Sequence, residues 1–372
     1  MKPFVLLLAL LASLWACKSP NTKQTPADRL MLSAVIKGLG DTVIYAKHAT
    51  LEDDVTDTIT VRNDSFQLEA KLTEPVAYSF TIPTAEGNKR VRVFLEPGTI
   101  SLSGSLDSLE NFTVTGSAAH QEWEQYEESA APFEQRFKDL FALYDSLPEQ
   151  NAAQEEKRLD SLYEAIQTEE KEAAIAYAVA HPKSVVSPYL VLAKLAYNPD
   201  LAVLKTVYTG LDTTIQKSIY GTRFAQLIKA TEATAVGQVA PNFSQADTSG
   251  NAVALSSLRG KVVLLDFWAS WCGPCRKENP NLVAAYAKFR AKGFEIYSVS
   301  LDNNREKWLA AIKADKLAWS HVSDLKGWDN AVAKQYYIKS IPASLLLDKD
   351  GKILARNLKG DALHQELSKI LK

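Results

Sequence analysis

The chain has 372 residues, 46% of them hydrophobic, and a formal net charge of −2. That is enough apolar material for two or three cored domains, and a charge this close to zero leaves no basic footprint for nucleic acid. Three cysteines, two methionines and five histidines placed singly supply neither a four-ligand zinc set nor the thioethers that a copper carrier would use. No cofactor is called for by these residues. Residues 1–16, MKPFVLLLALLASLWA, join a basic residue to a short apolar core and a small residue. They read as a secretion signal, too short to span a bilayer.

The stretch Leu14-Trp15-Ala16-Cys17 resembles the lipobox of bacterial lipoproteins. The resemblance implies that Cys17 is acylated and becomes the mature N-terminus, which would hold the chain on a membrane of the bacterial cell envelope, facing the periplasm. Ordinary cleavage leaving Cys17 free is the alternative. Residues 17–28 then form a polar tether, with two prolines in KSPNTKQTPA.

Residues 29–116 alternate short apolar and polar runs: Met31 to Ile36, Thr42 to Ala46, Thr58 to Val61, Ser65 to Leu68, Ala77 to Ile82, Arg90 to Leu95, Thr99 to Ser103 and Phe112 to Thr115. Breaks such as Asn63-Asp64, Glu86-Gly87-Asn88 and Pro97-Gly98 have hairpin-turn chemistry. This predicts an antiparallel β-sandwich domain without a catalytic constellation. With its "FLEPGTISLSG" and "VTGS" pieces, the stretch also resembles the small β domain of unknown function that precedes the catalytic part of many lipid-anchored TlpA-like proteins.

Residues 117–235 read as a helical domain. Trp123, Tyr126, Ala130, Phe133, Phe137, Leu140 and Tyr144 draw one apolar stripe, which Pro132 is expected to kink or split. A second helix over Glu155 to Ala180 would pack on the first as a hairpin, turning at Leu147-Pro148-Glu149-Gln150. Shorter helices are expected at Val186 to Ala196, Pro199 to Tyr208 and Thr214 to Lys229.

Residues 236–372 alternate strand and helix. After an extended opening with a turn at Asp247-Thr248-Ser249-Gly250, a strand leads into VVLLDFWASWCGPC at 262–275. Helices are expected at Cys275 to Lys292, Arg305 to Ala314, Asp329 to Tyr336 and Ala362 to Leu371. Strands are expected at Phe294 to Ser300, Ala343 to Leu347 and Lys352 to Arg356. One strand–helix–strand unit followed by a hairpin and a helix is an α/β sandwich of thioredoxin type, so the whole is a multidomain α+β chain.

Cys272 and Cys275 stand two residues apart at the junction of strand and helix. Pro274 suits a first helical turn, and Cys272 would meet free backbone N–H groups and the helix dipole, which favour a thiolate. Cys272 is therefore the expected nucleophile, and Cys275, one turn on, the resolving thiol. A structural cystine closing so short a loop would add little stability.

The segment GQVAPNFSQADTSGNAVALSSLRGKVVLLDFWASWCGPCRKENP is similar to the opening of the membrane-tethered TlpA/ResA-like thiol-disulfide oxidoreductases, over about the final third of the chain. The resemblance implies a buried acid at Asp266 that accepts the proton of Cys275, an acid at Glu278 that tunes thiol pKa, and a cis-proline at Pro342. A strand-end acid facing water, a plain surface Glu and a trans turn proline are the structural alternatives. Trp271, Gly273, Pro274, Ile341 and Pro342 would form the substrate-binding surface, where a cis X–Pro bond exposes backbone to an extended peptide. Pro280 matches the family's helix-kinking proline.

The Gly-Pro pair and Ile341 resemble thioredoxin rather than a strong oxidant, so a reductase of exported proteins' disulfides is expected. Its partners would be disulfide-bonded envelope proteins, of which apocytochrome c is the family's example, an upstream membrane thiol reductant, and the lipid bilayer through Cys17. A disulfide oxidase or isomerase of the same fold, or an envelope partner-binding lipoprotein with its dithiol as a redox switch, are the alternatives. A peroxiredoxin would need a Pro-x-x-x-Thr/Ser-x-x-Cys setting that "DFWASWC" lacks.

Overall fold

The computed structural model describes residues 28–147, 152–197 and 199–372. The leader of residues 1–16, the acylation site Cys17, the tether up to residue 27 and the turn at 148–150 lie outside them. By backbone proximity the chain forms two compact units: one takes Thr56–Ser117 with the residues up to His48, the other Ala118–Lys372 with the short stretch Ala49–Val55. No helix among the described residues is long and apolar enough to cross a membrane.

Eight strands build the first region: β1 Arg29–Lys37, β2 Thr42–Ala49, β3 Asp54–Val61, β4 Ser65–Lys71, β5 Val76–Thr84, β6 Gly87–Leu95, β7 Gly98–Ser105 and β8 Thr113–Thr115. They form two four-stranded sheets, ordered β4-β1-β7-β8 and β3-β2-β5-β6. Strict alternation buries Leu30, Leu32, Ala34 and Ile36 of β1, and Phe66 of one sheet meets Phe80 of the other at 5.8 Å between ring centroids. Asn63 and Asp64 both take positive φ, 47° and 66°, as a tight hairpin requires and as their side chains tolerate. β1 with β4, β2 with β5, β5 with β6 and β7 with β8 are antiparallel, whereas β1 and β7 run parallel. The second sheet lies between them in sequence and supplies the long crossover that a parallel pair needs.

Helices α1 (Ala118–Asp145) and α2 (Ala152–Ala180) follow. Pro132 does not split α1, which runs through it as one element; the apolar stripe continues on both sides, and Leu140 packs with Leu159 and Ile166 of α2. Arg136 and Glu169 join the two helices in a bidentate pair. Next come α3 (Val186–Leu195), α4 (Leu201–Gly210), α5 (Thr213–Gln216) and α6 (Ile219–Ala233). The single helix expected at Thr214 to Lys229 is thus broken. Ser218 caps a fresh start by accepting from Gly221 N–H at 3.0 Å. A Cβ at Gly221 would fall 2.0 Å from the Ile215 carbonyl oxygen, so only glycine permits this return of the chain.

The last region contains β9 Ser244–Ala246, β10 Ala252–Ala254, β11 Val262–Trp268, α7 Gly273–Phe289, β12 Phe294–Ser300, α8 Arg305–Ala314, β13 Ser320–Val322, α9 Ala331–Gln335, β14 Ala343–Leu347, β15 Ile353–Arg356 and α10 Gly360–Ile370. Its five-stranded sheet is ordered β13-β12-β11-β14-β15. Strands β11, β12 and β13 are parallel, while β14 and β15 are antiparallel to their neighbours. Helices on its faces cover the central strand, and all seven residues of β11 are buried. The helical segment packs against this domain: Arg356 Nη1 donates to the Thr234 carbonyl at 3.0 Å and to its hydroxyl at 2.8 Å.

Candidate active site

Strand β11 ends at Trp268 in the centre of the sheet, and a short turn carries the chain to Cys272, the N-cap residue of α7. Its extended backbone (φ −82°, ψ 99°) leaves the sulfur facing the first helical turn, where Sγ accepts the Cys275 N–H at 3.2 Å. Pro274 lies in that first turn and has no donor to lose. Cys272 and Cys275 are joined as a disulfide with their Cα atoms 5.3 Å apart. Both cysteines are buried, whereas Trp271, Gly273 and Pro274 beside them are exposed. These three residues are the exposed surface beside the disulfide.

Asp266 is buried in mid-strand, so the alternative of a strand-end acid facing water does not hold. Burial raises its carboxyl from an ordinary 3.8 to about 7; a hydrogen bond from the Ser298 hydroxyl at 2.9 Å opposes that rise, and the charge of Glu278 adds to it. A carboxyl poised there can take a proton or return it near neutral pH. Glu278 is engaged, not loose on the helix surface: one carboxylate oxygen accepts from Gly360 N–H at 2.9 Å, at the start of α10, and from Asn281 Nδ2 at 2.7 Å. It acts on Asp266 by charge while tying α7 to α10.

The Ile341–Pro342 peptide bond is cis. The next residue, Ala343, pairs with Phe267 of β11, which places the cis bond beside the strand end that delivers the cysteines. Pro280 lies inside α7 at an exposed position.

Several groups at the site were not among the expected residues. Asp302, fully buried just beyond β12, accepts from the Ser270 backbone N–H at 2.9 Å, from the Ser270 hydroxyl, and from the Ser300 hydroxyl at 2.8 Å. Arg276 donates to the Ser270 carbonyl at 3.2 Å and forks onto Asp315, which also accepts from buried Asn279 at 2.7 Å. The turn before Trp271 and Cys272 is thus held from both sides. Trp328, in a one-turn helix at Gly327–Asp329, lies 6.0 Å from Trp271 between ring centroids, and both rings are about half exposed. Trp319 donates its indole N–H to Ser298 at 2.8 Å. One signal for these groups was present in the sequence: Ser298 and Ser300 interrupt an otherwise apolar strand, and polar residues at buried positions need partners.

Residues 236–356 match the AhpC/TSA family, and residues 32–123 match a domain of unknown function, DUF4369. The thiol-disulfide oxidoreductase ResA of Bacillus thuringiensis subsp. konkukian is 34% identical over 137 residues, covering 37% of this chain and 77% of that protein. The ResA of Bacillus subtilis is 33% identical over 137 residues, covering 37% and 73%. Among solved structures, the thioredoxin domain of a thiol-disulfide oxidoreductase from Bacteroides vulgatus is 42% identical, with a TM-score of 0.36 over 37% of this chain and 99% of that one.

Proposed function

The chain belongs to the ResA family of thiol-disulfide oxidoreductases, and from that premise we propose that it reduces disulfide bonds of exported proteins through Cys272 and Cys275. The observation that carries this reading is the seat of Cys272 at the head of α7, where its sulfur already accepts a helix N–H. Reduced, that sulfur is favoured as a thiolate. It attacks a substrate disulfide and forms a mixed disulfide, releasing the substrate's other sulfur as a thiol. Cys275 then gives its proton to Asp266, attacks Cys272 and closes the internal disulfide. The substrate leaves with both electrons.

Trp271, Gly273 and Pro274 are the surface a substrate meets, and Ile341 and cis-Pro342 offer backbone for an extended peptide to pair with. Glu278 tunes the site through its charge on Asp266. A lipid-anchored, periplasm-facing protein held through Cys17 would need an upstream membrane thiol reductant to reset it, and apocytochrome c is a fitting substrate. In this reading the β-sandwich (29–116) and the helical region (117–235) are domains of their own that carry the thioredoxin-like domain (236–372).

Cys275→Ser in the full chain should trap mixed disulfides with envelope proteins on Cys272, and the wild-type dithiol should equilibrate near the thioredoxin potential of about −270 mV. No trapped species, together with a potential near the about −120 mV of a strong oxidant, would overturn the reductase reading.

A further inference from the structure

We infer that Ser298 and Trp319 are positioning residues for Asp266: they hold its Oδ2 as a hydrogen-bond acceptor and leave Oδ1 as the atom that gains and loses the proton exchanged with Cys275. The inference rests on the proposed role of Asp266 and adds to it how that acid is oriented.

An indole N–H can only donate, and Trp319 Nε1 lies 2.8 Å from Ser298 Oγ. Ser298 Oγ must therefore accept there, and its single proton is left for another partner. Asp266 Oδ2, at 2.9 Å, is that partner. Were Oδ2 itself protonated, Trp319 and Asp266 would both point donors at Ser298, and the serine proton would be stranded among buried groups, at a substantial cost. Ser298 and Asp266 are both buried, and Trp319 is nearly so. The ring of Trp319 is fixed in turn by Tyr286 at 5.4 Å and His321 at 5.7 Å.

The other groups around Asp266 do not supply this polarity. On β14 its pairing neighbour is Ser344, which is uncharged. From α7 the charge of Glu278 pushes the acid toward its neutral form, and burial does so more strongly. His321 on β13 is kept neutral, since burial lowers it to about 3. The Ser298 hydroxyl is the group that favours the carboxylate. The chemical consequence falls on the resolving step. When Cys275 attacks the Cys272–substrate disulfide, one S–S bond breaks and another forms, the substrate sulfur departs with the electron pair, and the Cys275 proton moves to Oδ1. That transfer needs Asp266 ionised beforehand.

The test is a pH titration of the full chain labelled with 13C at its aspartate carboxyls, with the Asp266 signal identified as the one that Asp266→Asn removes. Ser298→Ala should raise the Asp266 midpoint by about one pH unit or more, since a bond to the charged form is lost. Trp319→Phe should raise it by less, and Ser298→Thr, which keeps the hydroxyl, should restore the wild-type value. The pH profile for resolution of a preformed mixed disulfide should move in the same direction. An unshifted midpoint in Ser298→Ala would overturn the inference; if that variant does not fold, an unshifted midpoint in Trp319→Phe would do so. A resolution profile that Asp266→Asn leaves unchanged would instead refute the role of Asp266 itself, whatever the midpoints show.

Discussion

From Leu30 to Val114 every buried side chain among the described residues is hydrophobic, whereas the last third of the chain buries Gln245, Asp266, Asn279, Ser298, Ser300, Asp302, His321, Ser323, Asn330 and Ser344 among its apolar residues. Both regions are built on sheets with well-filled cores, so the contrast is not one of architecture. In the strand-rich region polar side chains lie on the exposed face of each strand and in the turns, with the Tyr78 hydroxyl a buried exception, an arrangement that specifies a fold. In the thioredoxin-like region polar groups are taken out of water at a cost that only mutual hydrogen bonding offsets. They gather where β11 and β12 end, around the turn that carries Cys272. Buried polarity marks the chemistry here better than surface charge does.

The contrast can be broken most forcefully at Asp266. Asp266→Asn should slow resolution of the mixed disulfide at neutral pH about a hundredfold, as loss of a general base does, which a stopped-flow thiol assay would read. Stability should respond in the opposite sense. The folded chain holds this proton up to about pH 7, while the unfolded chain loses it near 3.8. The stabilising contribution is therefore whole below 3.8 and disappears as pH rises through 7. Urea unfolding between pH 4 and 8 should show the variant gaining on the wild type as pH rises, by an amount on the order of 4 kcal/mol at most. A difference that did not vary with pH would mean that Asp266 is not buried as an acid.

A smaller effect is expected at Asp302. Replacing it with alanine strands the Ser270 N–H and two hydroxyls, which should cost between about 1 and 3 kcal/mol. The dithiol potential should move as well, because the turn before Cys272 is no longer held. The smallest effect belongs to the other region. The exposed pair of Arg62 and Asp41 is 3.2 Å apart, and Arg62→Ala should leave both stability and the dithiol potential nearly unchanged, since solvent screens such a pair. A large loss of stability there would mean that this exposed pair helps hold the strand-rich region together.

The sequence revealed local order well and long-range pairing poorly. Alternation marked every strand of the first region, because burying one face imposes a period of two; the parallel pairing of β1 with β7 left no trace, since no local pattern encodes a partner so far along the chain. Strand β13, Ser320–Val322, escaped because its three residues stand apart from any run of alternating strands and pair with β12 only through the fold of the sheet. At the site, the cysteines stood out because a short motif carries them, and Asp266 and Pro342 because they match positions of the family the segment resembles. Ser298, Asp302, Trp319 and Trp328 were not, because they reach the dithiol only through the fold of the sheet.

The central claim is that the head of α7 keeps the Cys272 sulfur charged. The rate at which the reduced Cys17→Ser chain is alkylated by iodoacetamide, followed from pH 4 to 10 with Cys17→Ser/Cys275→Ser as the single-thiol reference, tests this directly. The expected result is a reactive sulfur titrating well below the about 8.5 of a free cysteine, with Cys272 as the residue modified. Titration at the free-thiol value, or alkylation falling on Cys275 in the Cys17→Ser chain, would contradict it.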